Sequence, residues 1–387
     1  MGAPNLGILT PESRNGLVWR EAVSALAGLG HSVHVVPDAE MTVPAMRRLF
    51  SLPPHRSGLE SHPALFLSVN FHGLDKHGDV FAVFRSKGVP VAIWLVDNPW
   101  NLLSGLRTDF WKEAHLFVTD PFFISGLKAH GARHVSFLPL ATDPALFSPG
   151  HRSENPQQTR FPVVFVGRSA FPDKNRFFIG QSIPENLEAE ANTALASGTR
   201  PDFSWWLKKL KLDNNSLWPG SAFRKASLGA EEMSLLWRAE CLRQAAAIGL
   251  LIYGDAGWTD ILPSNGVTKL LGPVDYYTSL ARIYACAPFS LNMVSFLLPH
   301  GLNQRHFDVW SSGGFCIMDA CPGLDIFPPE LVAPISFRDP TQIPAIVERF
   351  IQAPEEKRTL TALWRKTILA EHTYDVRMQS LLRSLFF

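Results

Sequence analysis

The sequence predicts an α/β protein of two domains, each built on a mostly parallel sheet and facing a shared interdomain cleft. Three observations predict it. Short apolar runs recur along the chain with helical or loop segments between them, the pattern of strands covered on both faces. A polar, proline-rich stretch near the middle divides these runs into two series. The length of 387 residues also exceeds what one core usually organises, since domains run to roughly 100–200 residues.

The elements follow in order. Leu6–Leu9 is a short apolar strand, Gly16–Leu29 has the apolar spacing of a helix, and Ser32–Val36 is a second strand after the Gly30–His31 turn. Leu65–Val69, Val91–Val96, Leu116–Val118 and His134–Leu138 extend the series to complete a first domain over residues 1–149. Pro149–Pro162 lacks periodicity and has the composition of an exposed connection, which places a linker and hinge at 150–162. Pro162–Val166 opens the second series, followed by Gly249–Tyr253, Thr268–Leu271, Phe289–Met293, Gly314–Met318 and Leu331–Ile335. This second domain spans 163–365, and about residues 176–246 within it read as inserted helices. Lys366–Phe387 reads as a closing amphipathic helix.

Composition narrows the function. Basic and acidic residues nearly balance, 36 against 35, so no field of one sign is available to hold a nucleic acid or an anionic membrane. The opening MGAPNLGILT lacks the features of a secretory signal, and no apolar run is long enough to span a bilayer. A cytoplasmic protein without an integral membrane segment is expected. Four cysteines are too few for a disulfide framework and lack a matching histidine cluster, so they read as reduced core residues and no metal site is expected.

Open parallel sheets bind ligands beyond the carboxyl ends of their strands, which directs attention to residues just after each apolar run. Gly167 permits a tight strand exit, and Arg168 and Lys174 are placed to hold a diphosphate by charge-assisted hydrogen bonds. Solvated surface cations are the plain alternative. Gly254, Asp255 and Trp258 form a glycine-rich turn with a ring able to stack on a base or sugar, or an ordinary turn. Gly272-Pro-Val-Asp-Tyr276 could frame a nucleobase in the same way.

The segment from His300 to Asp319 is the richest. Asn303 and Arg305 lead into a short helix whose free amides and dipole favour an anion, and Asp308 one turn in can accept two hydrogen bonds from ribose hydroxyls. Gly313 and Gly314 then lead into a strand. An aspartate stabilised by the helix dipole and paired with Arg305 is the structural alternative. In the first domain Asp97 is a candidate base, with Asn98, Asn70 and His72 beside it on the acceptor side, although Asp-Asn-Pro is also turn chemistry.

The chain resembles the CgeB-like (spore-maturation protein) glycosyltransferases, relatives of glycosyltransferase group 1. The resemblance rests on the order of Trp94–Pro99, Leu116–Asp120 with Gly131, Leu138–Asp143, Phe165–Arg168, Tyr253–Asp255, Leu291–Asn292, Asn303–Asp308 with Gly313–Gly314, and His372–Tyr374 with Arg377. It implies a GT-B fold of two Rossmann-like lobes, a nucleotide-sugar donor bound mainly by the second lobe, an acceptor approached from the first, and a terminal helix that returns to the first lobe. By position, Asp308 resembles the acidic residue that contacts the donor ribose, and Arg168 with Lys174 the basic pair near the diphosphate. His300 stands where the wider superfamily often has a second acidic residue.

The expected activity is metal-independent transfer of a sugar from a nucleoside diphosphate sugar, the only co-substrate, to a hydroxyl acceptor on a glycan, lipid, protein or small metabolite. Arg168, Lys174 and the 302–305 helix start would stabilise the departing diphosphate. A nucleotide-sugar epimerase or hydrolase and a non-catalytic nucleotide-sugar-binding protein are the alternatives on the same scaffold.

Overall fold

Residues 5–13, 16–52, 63–149, 161–170, 173–212, 220–262 and 267–386 are described by the computed structural model. Most of the hinge expected at Pro149–Pro162 lies outside them. The chain divides into two compact units, Met1–Leu140 with Tyr374–Phe387, and Ala141–Thr373.

In the first unit, β1 (Gly7–Pro11), β2 (Ser32–Val36), β3 (Leu65–Val69), β4 (Val91–Leu95), β5 (His115–Val118) and β6 (His134–Phe137) form one sheet in the order β2-β1-β3-β4-β5-β6. All its pairings are parallel. β1, β3 and β4 are apolar almost throughout because helices cover both faces of the sheet. Each fully buried aliphatic or aromatic side chain contributes about 1.5–3 kcal/mol, and Phe66 stacks on Phe84 of helix Asp79–Ser86 with centroids 4.3 Å apart. The terminal helix Tyr374–Phe386 packs on helix Trp19–Gly28 in this unit. Its Arg377 Nε donates to the Pro139 carbonyl at 2.9 Å.

The second unit holds β7 (Val163–Val166), β8 (Leu250–Tyr253), β9 (Thr268–Leu271), β10 (Phe289–Asn292), β11 (Cys316–Asp319) and β12 (Ser336–Phe337), ordered β12-β11-β10-β7-β8-β9 and again all parallel. The chain lays β8 and β9 to one side of β7 and then crosses to β10 on the other. The topological switch therefore falls between the carboxyl ends of β7 and β10; in the first sheet it falls between β1 and β3.

Between β7 and β8 the chain forms helices Lys174–Phe177, Glu185–Ala196, Phe203–Lys209 and Ser221–Ala246. Gly229 lets the last two pack closely, since a Cβ there would lie 2.3 Å from the Trp206 ring. A buried polar clamp ties this insertion to the sheet. Asp319, fully buried at the end of β11, pairs with Arg200 Nη1 at 3.0 Å and accepts Trp237 Nε1 at 3.1 Å and the Val294 amide at 3.1 Å.

Two expectations are corrected. Leu331–Ile335 is not a strand: Pro329 starts a short helix, Pro329–Val332, because its fixed φ and missing N–H suit a first helical turn, and the edge strand is β12. Lys366–Phe387 is not one helix. Pro354–Glu371 ends before His372–Thr373, where the Thr142 amide donates to the His372 carbonyl at 3.0 Å and Thr142 bridges Thr373. That pairing draws the backbone out of helical geometry. Among the described residues no helix is long and apolar enough to cross a membrane. The four cysteines are free thiols, with Cys241, Cys316 and Cys321 buried and Cys286 half-buried.

Candidate functional site

Directly beyond β7 the backbone turns through Gly167, Arg168 and Ser169. A Cβ on Gly167 would lie 2.7 Å from the Phe165 ring, and one on Gly254, beyond β8, would lie 2.5 Å from the Gly167 carbonyl. The two glycines let neighbouring strand exits close on each other. Asp255 locks this approach by accepting the Ser169 amide at 2.9 Å, the Ser169 hydroxyl at 2.5 Å and the Gly257 amide at 3.0 Å. Burial would raise its carboxyl, but these donors prevail and hold it below the usual range. Trp258 is a core residue at 1% exposure, edge-on to Phe165, with Nε1 donating to the Gly167 carbonyl at 2.9 Å. Its expected stacking on a ligand is therefore corrected: the indole braces the loop from behind.

The cations of this loop differ in their surroundings. Arg168 projects an exposed side chain, whereas Lys174 Nζ pairs with Glu232 of helix Ser221–Ala246 at 2.7 Å. Arg305 occupies the switch point itself. Its Nη1 donates to Val166 O at the end of β7 at 2.8 Å, and its Nε to Asn292 Oδ1 at the end of β10 at 2.7 Å.

Asn292 is the hub of the next loop. It also accepts from Asn303 Nδ2 at 3.0 Å and contacts the buried His306 ring. Burial pushes the His306 imidazole down to about 3, the Asn303 carbonyl opposing and Arg305 reinforcing the shift. The expectation of free amides at this helix start is corrected. Asn303 Oδ1 accepts the Arg305 amide at 3.1 Å, the Asn303 carbonyl accepts that of His306, and the Gln304 carbonyl accepts those of Phe307 and Asp308. The amides of residues 305–308 are therefore committed within the helix start.

Asp308 lies one turn into helix Arg305–Ser311, 1% exposed, with Oδ2 accepting the Tyr276 hydroxyl at 2.9 Å. Gly313 and Gly314 each have a structural role: φ of +75° at Gly313 ends the helix, and a Cβ on Gly314 would lie 2.5 Å from the Tyr284 carbonyl.

In the first unit, Asn70 and Phe71 follow β3 with φ of +52° and +64°, left-handed conformations that cost non-glycine residues energy and gather at functional sites. The Asn70 amide nitrogen donates to Asp97 Oδ2 at 2.7 Å, and its oxygen accepts the Val96 amide at 2.9 Å. Asp97 keeps a solvent-facing surface, yet the surrounding protein desolvates its carboxyl and raises it above the usual range, with Asn70 opposing. His72 Nε2 donates to the Glu12 carbonyl at 2.7 Å across the β1–β3 switch and stands 3.4 Å from Asp38. Asn98 is corrected to a buried helix cap, its Oδ1 accepting the Trp100 amide at 3.0 Å.

Sequence reasoning passed over three residues of the second site. Arg238, Glu232 and Ser169 reach it from a long inserted helix and from a plain serine after the strand, without a local motif to mark them. The partnership of Tyr276 with Asp308 spans 32 residues and is equally silent in the sequence.

Residues 237–383 match a family model described as glycosyl transferase-like. No curated protein matches the chain. Among solved structures, a glycosyltransferase from Rickettsia africae is similar with a TM-score of 0.53 over 99% of this chain and 98% of its own, at 8% identity. Anabaena Alr3699/HepE, solved in complex with UDP-glucose, is similar with a TM-score of 0.54 over 98% of this chain and 99% of its own, at 9% identity. The structural likenesses show a GT-B fold for this chain, and within it residues 237–383 are similar to the glycosyl transferase-like family.

Proposed function

We propose that this protein moves a sugar from a nucleoside diphosphate sugar to a hydroxyl acceptor. The observation that carries the reading is the β7–β10 switch point, where Arg168 and Arg305 stand at the strand ends and Asp308 follows one turn into the helix. Cations there suit a diphosphate and a carboxylate suits ribose hydroxyls. The UDP-glucose bound by Anabaena HepE supports the same donor class. The motif order from Trp94 to Arg377 favours the CgeB-like branch, and four free thiols are compatible with a reducing cytoplasm.

In this reading the acceptor oxygen forms a bond to the anomeric carbon while the bond from that carbon to the β-phosphate oxygen breaks, the electron pair leaving with the diphosphate. Arg168 and Lys174, once released from Glu232, stabilise the charge that develops there, so the step runs without a metal. Asp97 takes the acceptor proton, and Asn70 and His72 shape the acceptor side. A second reading, a nucleotide-sugar-binding protein without catalysis, draws on His300 in place of an acidic residue.

A thermal-shift screen against UDP, GDP, ADP, TDP and CMP and their sugar conjugates tests the donor site, because a ligand that binds only the folded state raises its apparent stability. One base should shift the melting temperature selectively, and Arg168→Ala and Asp308→Ala should each reduce the shift. A shift undiminished by both substitutions would contradict the site.

A further inference from the structure

Four successive carbonyls, from the last residue of β7 onward, are each held by a side-chain donor. Val166 O accepts from Arg305 Nη1 at 2.8 Å, Gly167 O from Trp258 Nε1 at 2.9 Å, Arg168 O from Arg238 Nη1 at 2.7 Å, and Ser169 O from Arg238 Nη2 at 3.2 Å. Two of the four fall to Arg238, which comes from the inserted helix Ser221–Ala246, about seventy positions downstream in the chain. Its Nε donates to the Ser234 carbonyl of its own helix at 3.2 Å, which fixes the plane of the guanidinium. Glu231 approaches Nη2 at 3.6 Å, the Trp258 ring lies 5.9 Å away, and Asp255 and Arg305 complete the charged surroundings.

This arrangement goes beyond neutralising a buried charge. A planar fork reaching two consecutive carbonyls sets the orientation of both peptide planes, which a lysine, as a single point charge, does not reproduce. Arg168 sits between the bound carbonyl of Gly167 and its own bound carbonyl. With those planes fixed, its side chain leaves the loop in one direction.

We propose that Arg238 is a positioning residue for the donor diphosphate, acting through Arg168 by fixing the backbone from which that side chain projects. The inference rests on the diphosphate site of the proposed function. Arg238 need not touch the ligand: its two outer nitrogens are engaged by the loop.

A double-mutant cycle with UDP, GDP, ADP and TDP measured in parallel by calorimetry tests it, with the corresponding nucleosides as controls. Arg238→Lys should weaken the bound diphosphate about tenfold, on the scale of a lost charge-assisted hydrogen bond, and leave nucleoside affinity within twofold. In the Arg168→Ala background the same substitution should change affinity less than twofold. If Arg238→Lys does not fold, Arg238→Gln enters the same cycle. Additive losses, or an equal loss for nucleoside and diphosphate, would overturn the positioning role. If Arg168→Ala alone leaves diphosphate affinity unchanged, or if no diphosphate binds the unmodified protein, the donor site itself is wrong and Arg238 has nothing to position.

Discussion

Asp97, although it keeps a solvent-facing surface, holds its proton further up the pH scale than an ordinary carboxylate because neighbouring protein desolvates the carboxyl, while the Asn70 amide opposes that rise. As the base of the proposed reaction it must be ionised, so turnover of the nucleotide sugar should fall as pH drops through the raised value. Asn70→Ala removes the opposing hydrogen bond and should move that acid limb to higher pH. Asp97→Asn should abolish the limb and cost about 10²–10⁴ in rate; a limb that persists would assign it to another group. His306 offers a stability test of opposite origin. Buried and neutral in the fold, with its imidazole near 3, it binds a proton at the ordinary 6.5 only when unfolded. Stability should therefore decline as pH falls from 6.5 toward 3, by up to about 1.4 kcal/mol per pH unit from this group. Urea titrations across that window should show a shallower decline in His306→Asn.

At the scale of elements, close approach and buried pairing set the vulnerable points. Gly254→Ala would drive a methyl group to 2.5 Å from the Gly167 carbonyl, a backbone atom with little room to retreat. A loss of about 1–3 kcal/mol is expected from such overpacking, seen as a lower denaturation midpoint together with weaker donor binding. Arg200→Ala would leave the fully buried Asp319 carboxylate without its guanidinium and should cost roughly 3–5 kcal/mol. A thermal melt unchanged by Arg200→Ala would show that the clamp does not hold the insertion to the sheet. The elements themselves were largely legible, since β3, β4 and β8 are short, mostly apolar runs that only a covered sheet accommodates. Leu331–Ile335 misled because its apolar content masks the proline that starts a helix, and the break at His372–Thr373 depends on pairing with distant Thr142.

For the whole molecule, two parallel sheets place their chain reversals between β1 and β3 and between β7 and β10, and the candidate residues gather at the carboxyl ends beside them. That much of the candidate site was legible from position: Arg168, Asn70 and Asp97 stand just after strands, Arg305 opens the helix that follows β10, and Asp308 lies one turn into it. Residue type alone did not tell which of them face outward. Trp258, Asn98 and Gly314 have the chemistry of ligand contacts but are committed to packing, capping and close approach, facts fixed by tertiary neighbours. Arg238 carried no signal because its partners lie about seventy residues away in sequence.

The most direct test of the donor claim is to incubate the protein with UDP-, GDP-, ADP- and TDP-sugars and follow phosphorus resonances over time, with and without pooled hydroxyl acceptors. Release of one nucleoside diphosphate, accelerated by an acceptor and lost in Arg168→Ala and Asp308→Ala, is the predicted result. Binding of a nucleotide sugar that stays intact under every condition would contradict a transferase and leave a binding protein on the same fold.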